Sequence, residues 1–231
     1  MTLISFFGNG FTAYGPALAV FFLYIAKNAQ LVLLLMTSAF FWLVSILISS
    51  VFWYLIKAMQ DVPAATIFVS VTWQEIWRYL FFIMMSKAEP GLNSTSRTPD
   101  SRFNRTRHAF ATGLGFGLMS GLTLYLTQLA ESSGPAILPC SSCPGADVFF
   151  IGAVTTNLFI FLHTAWNMIA FEGWYKQRWL PFAFVLFSHY AASYGTLLIP
   201  SDVHNGCLIS IALCIVLLVI ATSLVVRTIN W

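Results

Sequence analysis

The sequence predicts an all-α membrane protein of seven transmembrane helices, with the N-terminus outside or lumenal and the C-terminus cytosolic. Three observations carry that expectation. The first is composition. Of 231 residues, 58% are hydrophobic, 16% aromatic and only 8% charged, and mean hydropathy is +0.80. No water-soluble domain of this size is so apolar. The second is a succession of seven apolar stretches, each long enough to cross ~30 Å of hydrocarbon. The third is a one-sided distribution of basic residues among the loops.

The spans run over 3–25, 31–56, 64–86, 109–130, 148–171, 180–200 and 207–226. They form a single seven-helix domain. Most connections are short and leave no room for a soluble catalytic domain. Span 1 begins at Met1 with no basic leader and no small-residue cleavage site, so it reads as a retained helix. Tyr14-Gly15-Pro16 is a place for a kink. Span 3 contains Gln74-Glu75-Ile76-Trp77-Arg78. The connector 87–108 is rich in Ser, Thr, Asn and Arg and contains Pro90-Gly91, which predicts a flexible segment near the headgroups. The connector 131–147 holds Cys140-Ser-Ser-Cys143, either a disulfide or two thiols; Cys207 and Cys214 belong to span 7. Too few ligands stand nearby for a zinc site, so no metal is expected.

Lys27, Lys87, Arg97, Arg102, Arg105, Arg107, Lys176, Arg178 and Arg227 all fall on one side of the predicted membrane, against Lys57 alone on the other. The positive-inside rule makes the richer side cytosolic. The sequons at Asn93 and Asn104 then face the cytosol and stay bare, while Cys140 and Cys143 lie outside.

Span 4 opens on Ala109–Gly121, which is uncharged and places Ala109, Gly113, Gly117 and Gly121 four residues apart, hence on one helical face. In lipid, such a face lets another helix backbone approach closely. Spacing does not say whether that helix belongs to this chain or to a partner.

The polar residues inside the spans are the remaining candidates. A charge at mid-membrane costs ~2.5–3.5 kcal/mol on insertion scales, so Glu75 and Arg78 mark a functional or structural site. Three residues apart, they share a face and can neutralise each other. His163 and His189, in spans 5 and 6, fall at the depth of Arg78 and Gly117, ~12–14 Å from the cytosolic ends. Glu75, Arg78, His163 and His189 therefore form a polar layer, in which the histidines are expected to hydrogen-bond each other directly or through water, with Asn157, Ser188 and Ser193 as neighbours. Catalysis fits poorly. The four aspartates, Asp61, Asp100, Asp147 and Asp202, lie in loops or at membrane edges. Ser120 with His189 superficially resembles a serine protease pair, but Leu118 stands where the rhomboid pattern needs glycine. A proton or ion transporter working through the polar layer, or a seven-helix receptor, is the rival reading.

Several stretches together resemble the anterior-pharynx-defective family, the seven-span scaffold subunit of γ-secretase: FFGNGFTAYGPA (6–17), AFFWLVS (39–45), QEIWR (74–78), GLGFGLMSG (113–121), LHTAW (162–166) and SHYAAS (188–193). The resemblance implies a non-catalytic subunit that stabilises presenilin and nicastrin, with the presenilin enhancer subunit as a further partner. It implies intramembrane proteolysis and Notch signalling in the endoplasmic reticulum, Golgi, plasma membrane and endosomes, in contact with lipid. No cofactor, metal or nucleic acid is expected. It makes Gly113, Gly117 and Gly121 assembly glycines and His163 and His189 paired membrane histidines. On this view Gly117→Leu leaves the chain folded but blocks recovery of presenilin, and His163→Ala retains part of the activity. The CSSC sequence departs from the family pattern, and the sequence ends at Trp231, where relatives carry a longer tail.

The loop charges yield a direct test. Enzymatic deglycosylation should leave the electrophoretic mobility of the membrane-expressed chain unchanged; a shift traced to Asn93 or Asn104 would reverse the orientation.

Overall fold

Long apolar runs closed by local caps give seven long helices in a computed structural model that describes residues 3–96, 101, 103–134 and 138–229. Helix α1 covers Leu3–Val20 and continues as a π-helical turn over Phe21–Ile25; α2 is Ala29–Leu55, and α3 a single turn at Lys57–Gln60. Helix α4 is Pro63–Ser94 and α5 Asn104–Glu131. A hairpin of β1, Pro139–Cys140, and β2, Cys143–Asp147, precedes α6 at Val148–Tyr175. Helix α7, Trp179–Gly195, closes in a 3-10 turn at Thr196–Leu198, and α8 is Gly206–Ile229. Among the described residues five of these are long and apolar enough to cross a membrane: α1 with its π turn, α2, α5, α6 and α8. Helix α4 carries a charged pair in its interior, and α7 is only 17 residues long.

The sequence places all seven long helices, but two boundaries move. Helix α4 runs to Ser94 and α5 begins at Asn104, so much of the predicted flexible connector is helical. Pro90-Gly91 lies inside α4. Tertiary contacts hold this extension. Gln30 Nε2, from α2, donates to the Leu92 carbonyl at 2.7 Å. Arg105 of α5 pairs with Glu89 of α4, and its guanidinium lies 4.5 Å from the centroid of the Tyr175 ring in α6. Arg97 and Arg102, from the orientation argument, and Asp100, one of the four aspartates, lie outside the described residues.

Caps begin the helices where the sequence supplies them. Asn28 Oδ1 accepts from the Gln30 amide at the start of α2, and Asp147 Oδ1 from the Phe149 amide at the start of α6. Pro16 sits inside α1, where a proline has no N–H for the carbonyl four residues back. That carbonyl belongs to Thr12, and Asn157 of α6 donates to it at 2.7 Å. Asn157 thus serves α1 rather than the polar layer.

The hairpin was not foreseen. It is clasped to the start of α8 by a disulfide between Cys143 and Cys207, while Cys140 and Cys214 are free and buried. Cys140 is 2% exposed and Cys143 8%. Which half of CSSC pairs, and with what, is decided by the approach of two loops remote in sequence.

Helix α5 lies between α6 and α2, packing most extensively on α6 and next on α2. Its glycines explain how. A Cβ on Gly113 would stand 2.8 Å from the Thr164 carbonyl oxygen and 2.9 Å from the Thr164 Cα. On Gly117 it would overlap the Ile160 carbonyl, and on Gly121 it would meet the Ile160 and Thr156 side chains at 2.9 and 3.0 Å. The predicted groove is therefore filled by α6 of the same chain. Gly115, which spacing did not single out, turns to the opposite face, where a Cβ would overlap the Leu35 carbonyl of α2. Backbone meets backbone on both sides of one helix.

This overturns the expectation that Gly117→Leu leaves the chain folded. No side-chain rotation relieves a clash with backbone. Gly117→Leu and Gly115→Leu should each destabilise the isolated chain by at least the ~1–3 kcal/mol typical of overpacking. Denaturation of the purified chain in detergent measures this. Wild-type stability for Gly117→Leu would refute the internal groove.

Candidate functional site

The polar layer is built on α4. Glu75 and Arg78 are one helical turn apart on its buried face, 3% and 0% exposed. Arg78 Nε donates to Glu75 Oε2 at 3.1 Å, and Nη2 donates to Oε1 at 3.2 Å. Helix α6 receives the rest of the guanidinium. Nη2 lies 3.1 Å from His163 Nδ1, and Nη1 lies 3.4 Å from the His163 carbonyl and 3.5 Å from Asn167 Oδ1. Arginine has donors only, so His163 Nδ1 accepts and its ring hydrogen belongs on Nε2. On α7, His189 Nδ1 donates to Glu75 Oε1 at 2.7 Å. Phe116 of α5 provides the floor, its ring centroid 4.5 Å from the Arg78 guanidinium carbon.

The four predicted residues come together, but the direct bond expected between the two histidines is not among their contacts. The histidine rings meet edge to face, with centroids 5.0 Å apart and planes at 88°. Each bonds to one member of the Glu75–Arg78 pair, not to the other histidine. The physical reason is strength: hydrogen bonds to charged groups outbid neutral ones. Trp166 of α6 packs beside both rings, 4.6 Å from His189 and 5.3 Å from His163. Ser188 turns back to the Val185 carbonyl in its own helix.

Several members were missed. Asn167 reaches Arg78 and also donates to the Ala109 carbonyl at 3.0 Å and to Thr112 Oγ1 at 2.9 Å. Ala109 therefore joins the layer through its backbone, while Gly113, Gly117 and Gly121 let α6 come close enough. A signal existed: Asn167 is four residues after His163, on the same face. Gln74 accepts from Trp42 Nε1 at 3.0 Å, tying α2 to α4 beside the layer. Nothing local announces that pair.

A cavity of about 580 Å³ reaches the layer, lined by His163, His189, Ser120, Thr155, Thr156 and Ser193 among others. Its wall extends to Val148, Ile199 and Pro200, at the hairpin end of the bundle. Among the described residues Ser120 Oγ has no hydrogen-bond partner, so the serine–histidine pairing weighed from sequence is not formed.

The chain matches the family model described as Aph-1 protein over residues 4–229. The Drosophila melanogaster protein named gamma-secretase subunit Aph-1 is 34% identical over 212 residues, covering 90% of this chain and 87% of that one. The chain belongs to the Aph-1 family. The mouse gamma-secretase subunit APH-1B is 35% identical over 209 residues, 87% of this chain and 80% of its own. The Arabidopsis thaliana protein named gamma-secretase subunit APH1-like is 31% identical over 221 residues, 92% of this chain and 88% of its own. The Aph-1 match runs through both the glycine helix α5 and the residues of the polar layer.

The network makes a quantitative expectation. Arg78→Ala leaves a buried carboxylate without its cation and should cost about 3–5 kcal/mol. Glu75 and His189 should couple in a double-mutant cycle by about 0.6 kcal/mol or more, above the coupling between His163 and His189. Detergent unfolding of the four chains of each cycle checks this. Additivity of Glu75→Gln with His189→Ala would remove the contact.

Proposed function

We propose that this chain is a non-catalytic scaffold subunit of a γ-secretase complex, in which it stabilises presenilin and nicastrin together with the presenilin enhancer subunit. The observation that carries the reading is Aph-1 family membership over nearly the whole chain, with relatives that bear the name of gamma-secretase subunits. The geometry supports a structural role. Glu75, Arg78, His163 and His189 are engaged with one another, holding α4, α6 and α7 in register. Asp61 follows α3, Asp147 caps α6 and Asp202 lies before α8, so these aspartates do not face one another inside the bundle. Presenilin would supply the catalytic carboxylates.

In this reading the N-terminus is outside or lumenal and the C-terminus cytosolic, as the loop charges indicate. The complex would travel through the endoplasmic reticulum, Golgi, plasma membrane and endosomes. The lipid-facing sides of α1, α2 and α8 offer the area that partner helices need. Exposed Phe7 and Phe11 on α1, Leu33 and Phe40 on α2, and Val216 and Val219 on α8 are examples.

A second reading has one observation in its favour: the cavity reaches both histidines, as a proton or ion path would. Purification in mild detergent, followed by mass spectrometry of co-purifying proteins, separates the two. Presenilin and nicastrin should be recovered in near-stoichiometric amounts. A chain recovered alone that moves protons across vesicles under an applied gradient would replace the scaffold with a transporter.

A further inference from the structure

Three of the four cysteines are gathered at one place, and only two of them are bonded. Cys143 is joined to Cys207 with Cα atoms 6.1 Å apart. In the hairpin, Cys140 is the register partner of Cys143 across the antiparallel pair. Directly opposed residues of such a pair lie about 4.5–5.5 Å apart at Cα, inside the window a disulfide requires. Cys143 thus has two cysteines within bonding reach on two different segments. Cys140, Cys143 and Cys207 are buried in one small cluster with Ile151, at exposures of 2%, 8% and 0%.

Ser142 holds the cluster together. Its hydroxyl donates to the Ile199 carbonyl at 2.8 Å and accepts from the Cys207 amide at 3.0 Å. The Cys140 thiol lies 3.5 Å from the same hydroxyl and donates to the Ile199 carbonyl at 3.4 Å. The free thiol is therefore fixed beside the disulfide on the same carbonyl anchor, and Ile199 also lines the cavity.

We propose that Cys140, Cys143 and Cys207 form a site of internal thiol–disulfide exchange beside the cavity wall at Ile199. The Cys140 thiolate attacks Cys143 Sγ. The Cys140–Cys143 bond forms as the Cys143–Cys207 bond breaks, and the electron pair leaves on Cys207 Sγ. Cys207 takes up the proton that Cys140 gave up. One disulfide and one thiol are present before and after, so no oxidant or reductant is consumed.

The two isomers differ in what they tie. The Cys143–Cys207 bond spans 64 residues and clasps the hairpin to α8. The Cys140–Cys143 bond closes only the hairpin on itself and releases the start of α8 from it. The long-range bond is the one formed in the folded chain, so it is the resting state and the short one the minor isomer. Exchange would loosen the segment that carries Ile199 and Pro200, and with it one wall of the cavity.

The test uses the full purified chain and does not depend on the scaffold reading. The protein is held at about pH 8 without added thiol, where thiolates react, then quenched with acid, unfolded in denaturant and alkylated with excess N-ethylmaleimide near neutral pH before unreduced peptide mapping. Label on Cys207 should appear in the wild type at about ten times its level in Cys140→Ser. Equal labelling of Cys207 in the two proteins overturns the proposal. In a second arm, Cys207→Ser is equilibrated with reduced and oxidised glutathione. It should yield a Cys140–Cys143 linked peptide. If the mapping instead shows both thiols alkylated or singly glutathionylated in folded protein, the pair is not within bonding reach and the proposal fails. Should Cys207→Ser not fold, the wild-type arm alone decides.

Discussion

A guanidinium with no exposed surface must find all its partners inside the bundle, and the placement of four helices follows from that requirement. An isolated charge in a low-dielectric interior costs several kcal/mol, and removing one partner of a buried pair exposes that cost. Arg78 meets it with the Glu75 carboxylate one turn away, the His163 ring and carbonyl, the Asn167 amide and the face of Phe116. Glu75 in turn accepts from His189. Each bond fixes one helix relative to α4: α6 through His163 and Asn167, α7 through His189, and α5 through Phe116.

Those bonds are short only because backbones are close. Between α5 and α6 the approach depends on Gly113 and Gly117, where any side chain would run into the Thr164 or Ile160 carbonyl. The glycine face and the polar layer are thus one device. In a membrane there is no hydrophobic drive to bring helices together, so packing and interhelical hydrogen bonds must do it. The same economy appears elsewhere. Asn157 satisfies the Thr12 carbonyl freed by Pro16, Trp42 bonds Gln74, and Tyr190 meets Thr72 at 2.7 Å across α4 and α7. Polar side chains in this protein are spent on backbone and charge that lipid cannot solvate.

The two ends of the molecule are held differently. At one end Glu89, Arg105 and Tyr175 join α4, α5 and α6. At the other a disulfide ties the hairpin to α8, next to a cavity that runs inward to both histidines. The cavity therefore lies between a charged layer at one end and a disulfide-clasped hairpin near the other.

The sequence by itself determined the class, the seven long helices, the shared face of Glu75 and Arg78, and the matching depth of His163 and His189. These are local or additive properties: apolar run length, a period of 3.6 residues, and a rise per residue that converts position into depth. It also showed that Gly113, Gly117 and Gly121 line one face. Only the tertiary structure decided what lies on that face, because spacing defines a surface and not its occupant. The same holds for Gly115, whose role depends on α2 passing behind it. Whether the histidines bond each other or the ion pair was likewise a matter of which donor and acceptor reach one another first, and the charged groups win. The helical run through Pro90 and the choice of Cys207 as partner for Cys143 rest on contacts between segments far apart in the chain. Local pattern carries no information about such contacts, so these features became visible only in the folded bundle.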